Sequence, residues 1–131
     1  MLEIHDEHPD RLLHRATTET IIGAVFEVHH ELGYGFLERV YQRALQVELI
    51  RRGVAAEFER RIQVQYKGVI VGDYDADLIV DGCVAVEIKI NPDYDKRDEA
   101  QLLNELKATR LKVGLLLNFG RTKVGYKRLV F

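Results

Sequence analysis

Asp77 and the triplet Glu87-Ile88-Lys89, ten residues further on, are the part of this 131-residue chain whose residue types and spacing could do chemistry. Two carboxylates offer hard oxygen ligands for Mg²⁺ or Mn²⁺, with water completing the coordination shell. A lysine beside them places a cation where an attacking water or a phosphate would develop charge. Together they are what is needed to hold a divalent metal beside a phosphodiester.

The segments around these residues must position them. Val84, Val86, Ile88 and Ile90 alternate with Ala85, Glu87 and Lys89, the period of a β-strand. The apolar set faces a core, and Glu87 and Lys89 leave the other face together. Asp77 sits in the apolar run Ala76–Val80, joined to the first strand through Asp81-Gly82. A two-residue turn would place Asp77 opposite Val86 and on the wrong face. A three-residue turn or one bulge places it opposite Glu87, and this register is the expectation. The competing reading makes Ala85, Glu87 and Lys89 merely the solvent side of an amphipathic strand. Against it stands the placement of Asp75 and Asp77 among strongly apolar neighbours, where acids are usually avoided.

Outward from this centre the order is ααβββαββ. Ile21, Val25, Val28 and Leu32 mark one face of a first helix, with Thr17 as its expected cap and Gly33 and Gly35 as its stop. His29 and His30 fall in its last turn. A second helix is expected over 37–52, ended by Gly53. In it Glu38 lies three residues before Tyr41, on the same side as the inward stripe with Leu45, so this carboxylate is either exposed at the border of the stripe or held for a purpose. From Phe58 the period changes to two, Lys67-Gly68 turns the chain, and a second strand runs on from Val69 through Val80. Asn91-Pro92 breaks the third strand. A helix over 98–110 carries Leu102, Leu103 and Leu106 inward and Gln101 near its start, where it could orient a metal-bound water. Strands over 112–119 and 126–131 complete a mixed sheet with the hairpin 58–90 at its centre. Gly120 and Gly125 bracket a turn carrying Arg121 and Lys123, which reads as a hairpin turn first and a phosphate contact second.

The bulk properties fit one domain over 16–131, behind a polar arm at 1–15. Hydrophobic residues make up 47% and charged residues 31%, an ordinary globular composition. No apolar run approaches a membrane span, and one cysteine, Cys83, excludes an internal disulfide and suits a reducing, cytoplasmic setting. His5 and His8 lack a third ligand for a metal role. The net charge of −2 argues against an indiscriminate nucleic-acid coat. Yet all 21 acids lie before residue 106, and the basic residues Lys107, Arg110, Lys112, Arg121, Lys123, Lys127 and Arg128 follow them. Folding either gathers these into a phosphate-binding edge or interleaves them with the acids.

Gly35-Phe36-Leu37-Glu38-Arg39-Val40-Tyr41 reads G-x-x-E-x-x-Y and resembles the signature of the GxxExxY protein family, a small-domain branch of the PD-(D/E)XK nuclease superfamily. The resemblance extends from His30-Glu31-Leu32-Gly33 through Ala76-Asp77-Leu78 and Val86-Glu87-Ile88-Lys89 to Gly114-Leu115-Leu116-Leu117-Asn118-Phe119-Gly120. It implies a restriction-endonuclease-like α/β fold and a Mg²⁺- or Mn²⁺-dependent nuclease acting on DNA. Asp77 and Glu87 would be metal ligands with the Ile88 carbonyl as a third, Glu38 would reach the same cleft, and Lys89 would assist the water or the phosphate. Gln101 matches the first position of a Q-x-x-x-Y element, but four residues later stands Glu105 instead of tyrosine. Glu105 either joins the acidic cluster or, as the first reading, is a surface helix residue. A homodimer is compatible with so small a nuclease. The alternative is a non-catalytic binding or regulatory module that keeps the fold and engages nucleic acid or protein.

Overall fold

The computed structural model describes residues 13–58 and 60–131. The N-terminal arm, with His5 and His8, lies for all but its last residues outside them. Helix α1 (Arg15–Leu32) is preceded by His14 as its cap, so Thr17 falls inside the first turn and does not cap it. Gly33 ends the helix with φ near 69°, the left-handed region that a side chain would resist. Helix α2 (Glu38–Arg51) follows after a short loop. The strands are β1 (Ala56–Glu57), β2 (Arg60–Tyr66), β3 (Val69–Ala76), β4 (Leu78–Val80) and β5 (Val84–Lys89). A 3₁₀ turn (Lys96–Asp98) then leads into α3 (Glu99–Thr109), followed by β6 (Val113–Phe119) and β7 (Val124–Val130).

The main sheet has five strands in the order β1-β4-β5-β6-β7, with β5 and β6 parallel and the other pairs antiparallel. A parallel pair needs a crossover, and α3 supplies it. Both faces of the sheet are covered. Ile21, Val25, Tyr41, Leu45 and Leu49 of α1 and α2 pack on Val84, Val86, Ile88, Leu115 and Leu117. Leu102 and Leu106 of α3, with Ile62 of β2, pack on Ile79, Ala85, Leu116 and Leu129. Gly114 lets α3 sit close, since a Cβ there would meet Leu102 at 3.0 Å. Each such buried Leu or Ile contributes about 1.5–3 kcal/mol through removal from water.

The competing reading and one expectation are overturned. Ala85 and Glu87 are not the solvent side of a strand: they are 0% and 5% exposed beneath α3. Nor is the hairpin 58–90 a continuous centre of the sheet. β2 and β3 form a separate two-stranded ribbon, and only β4 and β5 enter the main sheet. The run from Val69 to Val80 is broken at Asp77, where the chain passes from the ribbon to the sheet.

Candidate metal centre

β4 and β5 pair with Leu78 opposite Val86 and Val80 opposite Val84. The turn between them thus holds three residues, Asp81, Gly82 and Cys83, with Asp81 at φ 52° and Gly82 at φ 68°. Continued by one residue, this register places Asp77 beside Glu87. The strand break turns the Asp77 side chain to use. Its Oδ2 accepts a hydrogen bond from the Ile88 N–H at 2.7 Å, and its backbone carbonyl accepts one from Gln42 Nε2 at 2.8 Å. In an antiparallel pairing one residue's N–H and C=O leave toward the same neighbour. The Ile88 carbonyl therefore points to the edge that Asp77 occupies.

Glu87 and Lys89 leave β5 on the α3 side. Lys89 Nζ lies 3.7 Å from Glu87 Oε2 and donates to Gln101 Oε1 at 3.2 Å. Gln101 Nε2 donates in turn to Glu87 Oε2 at 2.9 Å and to Glu105 Oε1 at 3.4 Å. One amide of α3 thus joins the lysine to both acids. Glu105 is 0% exposed, so it is not the surface residue expected first but lies against the acidic pair, where its charge adds to burial in raising the pKa of Glu87. The signal that could have found it is its spacing, three residues from Leu102 on the face that packs against the sheet. Asp75, by contrast, is exposed on the ribbon and takes no part.

Glu38 opens α2 in a half-buried position. The loop before it is fastened by Tyr41, whose hydroxyl donates to the Gly33 carbonyl and whose ring stacks on Phe119 at 4.3 Å. This gives the G-x-x-E-x-x-Y spacing a mechanical meaning. Gly35, at φ 116°, lets the loop turn, Tyr41 locks it, and Glu38 is delivered to the cleft. Gln42, four residues after Glu38 and so on the same helical face, anchors that helix to Asp77. Sequence reasoning did not single out Gln42.

Burial holds four carboxyls above the ordinary carboxylate range. Desolvation is the largest cause for Glu38, Asp77, Glu87 and Glu105 alike. For Glu87, the charges of Asp77 and Glu105 add to it, pushing its value up to about 9. Glu38 feels Asp77 as its next cause, whereas the Ile88 N–H and Lys89 partly offset the rise at Asp77. Burial and the like charges of Asp77 and Glu105 thus favour the protonated form of Glu87.

The donor set fits a hard divalent cation. Glu87 Oε1 is buried without a hydrogen-bond donor, and one Asp77 oxygen is left over from the bond to Ile88. Among the described residues no three His, Cys, Asp or Glu side chains are grouped to hold a metal ion. A cation would therefore rest on two carboxylates, a backbone carbonyl and water, an arrangement ordinary for Mg²⁺. Glu38 shares the electrostatics of Asp77 without forming a three-carboxylate cluster with it.

A mixed sheet covered on both faces, with Asp77 and Glu-x-Lys on neighbouring strands at its open end, defines a restriction-endonuclease-like domain. Residues 15–129 match the PD-(D/E)XK nuclease superfamily, and the chain belongs to it. Nucleases of this superfamily generally use divalent metals, and their substrates imply nucleic-acid binding. The solved structure of SSO0001 is similar in fold, with a TM-score of 0.53 and 19% identity. That similarity covers 93% of this chain and 61% of that one, so this chain spans under two thirds of its length. No curated protein matches. Among the described residues no helix is long and apolar enough to cross a membrane.

Proposed function

We propose that the chain is a Mg²⁺- or Mn²⁺-dependent nuclease that hydrolyses DNA phosphodiester bonds, with residues 16–131 as its single domain. Its G-x-x-E-x-x-Y segment supports a place in the GxxExxY branch, and its lone cysteine supports a cytoplasmic setting. The observation that carries the reading is the Asp77 bond to the Ile88 N–H, which brings Asp77, Glu87 and Lys89 to one end of one sheet.

Asp77, Glu87 and the Ile88 carbonyl would hold the cation, with Glu38 facing it from α2. The bound metal would polarise the phosphodiester and make water a better nucleophile. The chain's own residues supply the rest. Lys89 carries a positive charge at the place where the phosphate gains negative charge. Gln101 fixes the Lys89 ammonium with its carbonyl and Glu87 with its amide, so neither drifts during the reaction. Burial beneath α3 keeps bulk water from screening these groups.

A non-catalytic module that retains the fold is favoured by one observation. Glu105 stands where a tyrosine would complete the Q-x-x-x-Y element, and its carboxyl lies against Glu87. Calorimetric titration of Mn²⁺ into wild type and Glu87→Ala, followed by incubation with mixed DNA substrates, separates the two. Binding lost in the variant, with metal-dependent cutting by the wild type, is the expected result. Absence of metal binding in the wild type would reject the nuclease and leave the module.

A further inference from the structure

The turn between β6 and β7, residues 120–123, carries Arg121 and Lys123, and both are exposed. Neither has an ion-pair or hydrogen-bond partner among the described side chains. Its position follows from register. β5 and β6 run parallel with Lys89 opposite Asn118, so both strands end on the side where Asp77, Glu87 and Lys89 converge. Arg121 lies three residues beyond Asn118, at most about 10 Å of chain. Of the seven basic residues in the final quarter, these two alone reach this end in a turn. Lys107, Arg110 and Lys112 lie at the opposite end of α3 and β6, Lys127 lies mid-strand in β7 opposite Leu116, and Arg128 donates to the Leu13 carbonyl.

The turn is held rigidly. The Arg121 N–H donates to the Pro92 carbonyl at 3.0 Å, and the Gly120 N–H donates to the Lys123 carbonyl at 3.1 Å. His29 Nε2 contacts the Gly120 carbonyl at 2.9 Å from α1. A Cβ on Gly120 would fall 2.6 Å from the Lys123 oxygen and 3.0 Å from that of Pro92, so only glycine permits the crossing. Asn118 clamps the facing loop, accepting from the Asn91 N–H at 2.9 Å and donating to its carbonyl at 3.0 Å. The acids of that loop are partly engaged, Asp95 with Arg97 and Asp98 with Asn91.

We infer that Arg121 and Lys123 grip the nucleic-acid backbone on one side of the scissile bond. The inference rests on the proposed function and names the surface by which that site takes its substrate. A duplex carries one phosphate per about 3.4 Å of its axis on each strand, so a backbone lying across this end of the sheet presents phosphates to the turn as well as to the metal centre. The contact is to phosphate alone and carries no sequence preference.

The test measures binding of a short DNA duplex and a short RNA duplex in EDTA across a salt series, so that neither metal loading nor cutting enters. The variants are Arg121→Ala/Lys123→Ala and, as a control at the other end of the sheet, Lys112→Ala. Thermal melting confirms that each is folded. The double variant is expected to bind roughly tenfold more weakly and to lower the salt slope by about 2, near 0.9 per lost phosphate contact. Lys112→Ala is expected to match the wild type. The arm in which the loss appears identifies DNA or RNA as the source of the backbone. Equal affinity and slope for the double variant, or no binding by the wild type to either duplex, overturns the inference. A protein that loses binding here yet never takes up Mn²⁺ would instead refute the nuclease and leave the surface standing.

Discussion

The Asp77 carboxylate accepts the Ile88 N–H at 2.7 Å, at the point where β4 has ended and its ladder would otherwise leave that donor unpaired. One side chain therefore closes the strand break and faces the neighbouring acid. The two roles are separable by substitution. Asp77→Asn keeps an oxygen for the Ile88 N–H but removes the charge, so the fold should hold while Mn²⁺ affinity falls at least tenfold. Asp77→Ala loses the hydrogen bond as well and should cost about 1–3 kcal/mol in addition. Paired calorimetric titrations and urea melts measure both. Full metal affinity in Asp77→Asn would remove Asp77 from the ligand set.

Glu87 and Glu105 make the metal-free protein sensitive to alkali. In the folded chain Glu87 keeps its proton up to about 9, against an ordinary value of 4.5. Between those values the folded state binds a proton that the unfolded state has released. Stability is fully present below about 4.5 and declines as pH rises toward 9. The melting temperature in EDTA should thus be higher at pH 5.5 than at pH 8.5. Glu105→Gln removes one of the like charges and should flatten the slope. Mn²⁺ affinity should rise with pH over the same window, because the cation must displace the proton held by Glu87. A melting temperature that climbs through the window would contradict the buried, protonated Glu87.

The elements whose signal is local were legible in the sequence. The alternation from Val84 to Ile90 and the helical stripe Ile21, Val25, Val28 reappear as core-facing residues of β5 and α1. The register at Asp81–Cys83 was legible for a different reason: only a three-residue turn or one bulge puts Asp77 beside Glu87, and the chain uses the turn. The break at Asp77 was not, because one strand or two give the same apolar run from Val69 to Val80. What divides them is Gln42, far away in the chain, and no periodicity reports a side-chain bond to a distant carbonyl. Thr17 was misread because a capping residue type is common inside helices too. Burial of Glu105 was obscured by chemistry: a buried carboxyl is costly unless it is protonated or hydrogen-bonded, and no periodicity in the sequence reports either.

Gln42 offers a test of how the site is positioned. Its amide donates to the Asp77 carbonyl from α2, the helix that also carries Glu38. Gln42→Leu keeps the volume and strands that buried carbonyl, at a cost of about 1–3 kcal/mol. If the bond only stabilises the fold, metal affinity measured well below the melting temperature should stay unchanged. If it sets the Asp77 geometry, Mn²⁺ binding should weaken several-fold at full helical content, and Gln42→Glu, with its donor lost at neutral pH, should behave like Gln42→Leu. Calorimetry beside circular dichroism decides between these outcomes, and weakened binding is expected.

Gln101 touches the lysine and both buried acids. Its own position is exposed, but its amide serves two buried acids, so its replacement should cost about 1–3 kcal/mol of stability. Its loss frees Lys89 to move toward Glu87 Oε2, now 3.7 Å away, and to form a direct ion pair. Gln101→Ala should therefore retain metal binding within a few-fold while cutting of DNA falls by roughly ten- to a hundredfold, a loss of placement and not of ligands. Gln101→Glu should be worse, because a third carboxylate beside Glu87 and Glu105 adds like charge and removes the amide donor. Single-turnover cleavage at saturating Mn²⁺ reads the difference. Unchanged cleavage in Gln101→Ala would show that Lys89 is held in place by Glu87 alone.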